Sequence, residues 1–143
     1  MQYTITQALP GVRPPVQIPN LKVLQALGED GMRKLVSDHY EILKISSIKD
    51  LFPTTDMGLE IAKKHAADFF VQICGGPKYF NESRGAPKMG QRHAPFAITP
   101  TARRIWLESY MIVLKDLDLD DYLKQSFWNY LDIFSIWMVN TPE

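Results

Sequence analysis

His93 stands in the segment GQRHAPFAI, residues 90–98, and is one of three histidines in the chain. Imidazole is the commonest side-chain metal ligand and titrates near neutrality. A single histidine is more often a partly exposed ring held by a backbone contact than a ligand. Two features separate His93 from that ordinary case. The stretch before it, residues 75–92, holds Gly75, Gly76, Gly85, Gly90, Pro77 and Pro87, which permit sharp chain reversals and exclude a long helix. So long a loop is uncommon in a small domain and is usually functional or disordered. This one carries Tyr79, Phe80 and Met89, so it has apolar surface to bury.

The chain also has seven Phe, six Tyr and three Trp, more than a small helical bundle needs for its own core. A large, flat, apolar cofactor with one axial nitrogen ligand would use both features, and haem on a proximal histidine leads. A zinc site from His39, His65 and His93 is the competing metal reading. Closely spaced pairs, such as two histidines four apart on a helix, do not occur here. Tyr40 and Trp106 are either core aromatics with a polar tip at the surface or donors aimed into a pocket. The run DLDLDD, residues 116–121, lacks the glycine and the twelfth-position acid of a calcium loop and reads as a solvated linker. Cys74 has nothing basic within three residues and reads as a buried structural thiol. No phosphate loop, nucleophile elbow or paired-carboxylate pattern stands out.

The elements that must position these groups are helical. The first 20 residues hold Pro10, Pro14, Pro15 and Pro19 and predict an extended strap that folds back on the domain or stays loose. NLKVLQAL predicts a short helix stopped at Gly28. A second helical face follows with Met32, Leu35, Val36, His39 or Tyr40, and Leu43. Thr55 or Asp56 starts a helix running to about Cys74, with Ala62, Ala66, Phe69, Phe70 and Ile73 inside. Two alanines followed by two phenylalanines leave room at one end of that face. Thr99-Pro100 or Thr101 opens a helix with Trp106, Tyr110, Val113 and Leu117 on one side. The last helix has a wide apolar stripe from Leu123 to Met138. No strand pattern and no internal repeat appears, so the predicted class is all-α.

Composition narrows the partners. Lys+Arg and Asp+Glu number 16 each, which argues against a nucleic-acid backbone or an anionic membrane. One cysteine permits no internal disulfide and suits a reducing compartment. The N-terminus lacks signal-peptide features and no segment has the length of a membrane span, so a cytoplasmic location is expected.

With these residues placed, a resemblance emerges. GGPKYFNESRGAPKMGQRHAPFAI followed by RRIWLESY resembles the truncated (two-on-two) haemoglobins, above all their second group. Members carry a GGP turn, a G-x-P-x-[LM] segment, an RHAPF-type stretch and a WL pair in the next helix. The ending MVNTPE also resembles that group's C-terminus. The likeness covers about residues 22–143, so the expected organisation is an extension over 1–20 and a globin domain over 21–143.

The resemblance implies a globin-like two-over-two helical sandwich around haem b, with His93 as proximal iron ligand. It implies that Arg92 and either Tyr79 or Phe80 meet the haem propionates, and that Met89 and Phe96 line the proximal side. Phe69 belongs with these cofactor-binding residues. It places Tyr40 and Trp106 as distal donors, Ala62 at a distal gate and Phe52 at the haem edge. Two departures stand out: His39 occupies a position where relatives usually have Phe, and Ala66 one where they have Leu or Gln. His39 is therefore expected to add a second polar group on the distal side, unless its ring faces the opposite helix, and Ala66 to enlarge the pocket or make room for His39. The expected function is binding of O2 and related ligands (NO, CO, cyanide, sulfide or peroxide), with nitric oxide dioxygenase or peroxidase-like turnover served by an external reductase. The expected state is a monomer or weak homodimer. The alternative is a non-catalytic globin-fold sensor or interaction module whose strap contacts a partner.

Overall fold

The computed structural model describes residues 2–143. Four long helices carry the fold: α1 (Lys22–Leu43), α2 (Asp56–Ile73), α5 (Pro100–Lys115) and α6 (Asp121–Ile136). Two short helices, α3 (Tyr79–Arg84) and α4 (Met89–His93), fill the predicted loop, and a 3-10 turn spans Lys49–Leu51. Among the described residues there is no strand. The chain is all-α.

Local chemistry sets the helix boundaries. Gly28 sits at φ 71°, ψ 169°, so the two helical stretches the sequence predicts on either side of it are joined across a kink. The Thr55 side chain accepts from Gly58 N at 3.0 Å and caps α2. Thr99 caps α5 in the same way through Ala102 N, with Pro100 at the first turn. Residues 75–92 differ from a plain loop because Lys78 and Lys88 start single helical turns between the glycine breaks.

The core lies where α1 crosses α2 and α5 and where α6 closes on both α1 and α5. Met32, Leu35, Leu107, Leu114 and Leu131 are among its fully buried aliphatics, with the buried aromatics Trp128, Phe127 and Tyr110. The predicted inner face of α2 is shifted. Phe69 and Phe70 are buried as expected, together with Ala67 and Val71, whereas Ala62, Ala66 and Ile73 are only half-buried. The helix faces two things at once: the core along one stripe and a cavity along the Ala62–Ala66 edge.

Residues 2–20 fold back along α6. Trp128 Nε1 donates to Thr4 O at 2.9 Å and Trp137 Nε1 to Pro14 O at 2.8 Å. Tyr3 packs on Trp128 with ring centroids 4.8 Å apart. Beneath this strap Arg103 of α5 meets Asp132 of α6 at 2.6 Å and also donates to Ser135 Oγ and Thr6 O. Thr6 closes the loop through its own N–H and hydroxyl to the Asp132 carboxylate. Every partner of the buried guanidinium is thus supplied by α6 or the strap. Among the described residues no helix is long and apolar enough to cross a membrane.

Candidate functional site

The fold holds a cavity of about 570 Å³, walled by α1, α2, α3, α4, α5 and the end of α6. That is the size range of small-molecule and cofactor sites.

His93 reaches this wall as the last residue of α4. Its Nδ1 lies 2.7 Å from the Met89 carbonyl. A carbonyl only accepts, so Nδ1 carries the proton and Nε2 keeps its lone pair. Burial lowers the His93 pKa, partly opposed by the Met89 bond, which holds the ring neutral. The segment around it is pinned from both sides. Arg92 donates from Nε to Pro87 O at 2.6 Å and from Nη2 to Arg84 O and Ala86 O. Its guanidinium also sits over Phe80 at 5.1 Å. Asn140 donates to the carbonyls of His93 and Phe96 and accepts from Ile98 N.

Tyr40 of α1 and Trp106 of α5 line the same cavity. Burial pushes the Tyr40 pKa to about 12, so its hydroxyl keeps its proton and remains a donor. His39 is fully buried in the same wall. Its Nε2 lies 3.0 Å from the Trp106 carbonyl and its ring stacks on Tyr110 at 3.5 Å, so it faces α5. Burial lowers its pKa to about 3, and Nδ1 is left without a partner. Phe52 stands edge-on to Tyr40 at 5.6 Å.

All but one of the residues singled out from the sequence line this cavity, including Ala62, Ala66, Phe69, Phe80, Met89 and Phe96. Tyr79 is the exception and a correction. Successive helical residues point about 100° apart, so α3 sends Phe80 inward and turns Tyr79 out against Arg33, 5.8 Å from its ring. Of the two aromatics left open by the sequence, Phe80 meets the cavity. The sequence reading missed Arg84, Arg103, Tyr110 and Ser135, and gave His65 no definite place, although all five line the wall. Arg103 was legible in principle: it lies four and seven residues before Leu107 and Tyr110, on the buried face of α5. Arg84 carried no signal, since it is the last residue of a short loop helix.

The donor set fits haem. A mostly apolar wall would take the ring and a neutral imidazole with a free Nε2 lone pair would take the iron. Arg84, Arg92 and His65 at one edge would meet two carboxylates. Burial lowers the His65 pKa, and the positive charges of Arg84, Lys64 and Arg92 lower it further. No group of three His, Cys, Asp or Glu able to hold a bare metal ion occurs among the described residues.

The comparisons with known proteins agree. The family model "Bacterial-like globin" matches residues 23–140. The chain is 30% identical over 120 residues to group 2 truncated hemoglobin YjbI of Bacillus subtilis, covering 83% of this chain and 89% of that one. Its fold is similar to the crystal structure of phosphate-bound Hell's gate globin IV, with TM-score 0.89 and 42% identity over 98% of this chain and 88% of that chain. It is also similar to the truncated oxygen-avid haemoglobin from Bacillus subtilis, with TM-score 0.77 and 27% identity over 82% of this chain and 98% of that chain. The chain therefore belongs to the bacterial-like globin family and has the truncated, two-over-two globin fold, with group II structures among its relatives. Membership implies a haem cofactor and small-gas ligands such as O2.

Proposed function

We propose that the chain holds haem b on His93 and retains O2 by donation from Tyr40 and Trp106. The observation that carries this reading is the His93–Met89 contact at a cavity that Tyr40 and Trp106 also line. Haem, when bound, supplies an iron position for a small ligand.

The chain's residues do the rest. His93 binds through Nε2 while the Met89 carbonyl fixes its tautomer. Arg84, Arg92 and His65 orient the cofactor's acidic edge. The apolar walls exclude water. Tyr40 and Trp106 donate to a ligand that gathers negative charge, and each such bond is worth about 1.5–3 kcal/mol. Slow release follows, which suits redox chemistry or sensing better than delivery. The same donors favour peroxide, cyanide and sulfide. Turnover of NO or peroxide needs an external reductase, because the chain holds no flavin or nicotinamide motif.

The test is a visible absorption spectrum of the purified protein, ferric and then dithionite-reduced with CO, beside His93→Ala. The expected result is a Soret band that shifts with CO in the wild type, and haem lost or altered in the variant. An unchanged variant spectrum rejects His93 as the ligand.

A further inference from the structure

We infer that His39 is a positioning residue for Trp106: it holds the indole in place through the Trp106 main chain and does not itself touch the ligand. The inference rests on the ligand-binding reading above for two of its three readouts, and the indole signal is independent of it.

Three contacts tie the His39 ring to one turn of α5. Nε2 donates to the Trp106 carbonyl at 3.0 Å, because the carbonyl has no proton to offer. The ring stacks flat on Tyr110, centroids 3.5 Å apart at 16°. Its edge meets the Trp106 ring at 5.2 Å and 89°. Trp106 and Tyr110 lie one helical turn apart on the same face, so these contacts fix both the azimuth and the depth of the turn that carries the indole. The second ring nitrogen, Nδ1, is buried and has no partner. It carries the cost of an unmet acceptor, and the nitrogen that donates, Nε2, is already committed to the Trp106 carbonyl. A phenyl ring would keep the stacking and avoid that cost. What the imidazole adds is the bond to the Trp106 carbonyl. Because burial keeps His39 neutral, Nε2 remains the donor across the neutral range.

The experiment compares His39→Phe and His39→Gln, each in the wild-type chain and in Trp106→Phe. O2 release from the haem-loaded protein is followed by stopped flow, and the CO stretching band by infrared spectroscopy. In the haem-free chain the Trp106 indole N–H signal is followed by NMR and assigned by its loss in Trp106→Phe. His39→Phe is expected to speed O2 release about tenfold, broaden the CO band and shift or split the indole signal, with no further change in the Trp106→Phe background. His39→Gln, which can still donate to the carbonyl, is expected to recover part of each effect. Equal acceleration with and without Trp106 overturns the inference in favour of direct ligand contact. An unmoved indole signal overturns it in favour of packing alone, even if the thermal midpoint falls. Should His39→Phe not fold, His39→Gln decides: an indole signal near the wild-type position supports the inference and a scattered one rejects it. If Trp106→Phe alone leaves O2 release unchanged, the donor reading fails while the indole signal still decides the positioning.

Discussion

His93 Nδ1 and the Met89 carbonyl, 2.7 Å apart, close one turn of α4 on itself and aim the other ring nitrogen away from the helix. The tautomer is set by backbone, so it does not depend on a mobile side chain. If Nε2 is the iron ligand, an untethered imidazole can replace the ring. His93→Gly is expected to hold haem poorly, and added imidazole to restore a wild-type CO spectrum. Absorption titration of the variant with imidazole checks this, and a spectrum indifferent to imidazole counts against His93.

Arg103 is buried with its charge matched by Asp132, and the strap completes the site through Thr6. Burial lowers the Arg103 pKa and the Asp132 carboxylate opposes that shift. Removing one partner of a buried pair leaves the other uncompensated and costs about 3–5 kcal/mol. Asp132→Ala is therefore expected to lower the thermal midpoint by about 6–15 °C. Thr6→Val, which removes only the hydroxyl bond, is expected to cost about 1 kcal/mol. Calorimetry of the two variants separates them, and equal losses would show that the carboxylate has no special weight.

Much of the fold was legible because helix signals here are strong. Thr55 and Thr99 cap where the sequence places them, and Gly28 breaks the first helix. The residues that line the cavity were legible through short motifs around His93 and Trp106. What escaped depends on tertiary context. Helical spacing puts Arg103 on the buried face of α5, but nothing local says that its cover is a strap about a hundred residues earlier in the chain. Nothing local assigns Phe80 inward and Tyr79 outward in a six-residue helix. The sequence could mark His39 as an unusual polar residue beside Tyr40, but the Trp106 carbonyl as its partner is a product of how α1 crosses α5.

Acid stability follows from that burial. The His39 pKa in the folded chain is about 3 against an ordinary 6.5. Between those values the unfolded chain binds a proton that the folded chain refuses. Stability therefore falls as pH drops from about 6.5 toward 3, by up to about 1.4 kcal/mol per pH unit from this group alone. The lowered His93 pKa acts in the same direction. Carboxylates add their own acid loss, so the readout is a difference. In urea unfolding of the haem-free chain from pH 7 to 4, His39→Phe is expected to show a shallower decline than the wild type. Parallel declines would mean that His39 is not buried as a neutral ring.

Tyr40 and Trp106 belong to different helices and line one cavity, so their donations are separable. The Tyr40 hydroxyl is held protonated by burial, which makes it a donor throughout the neutral range. Tyr40→Phe removes one hydroxyl and leaves the ring against Phe52. Trp106→Phe removes the indole N–H with some loss of volume. Each is expected to speed O2 release about ten- to 150-fold. CO gathers less negative charge when bound, so its release is expected to change far less. The ratio of the two effects separates hydrogen bonding from altered access, since a wider path would speed both gases alike. The double variant then tells whether the donors share one ligand atom. Effects that multiply mean independent bonds, and a double variant no faster than the faster single means that one donor works only in the presence of the other.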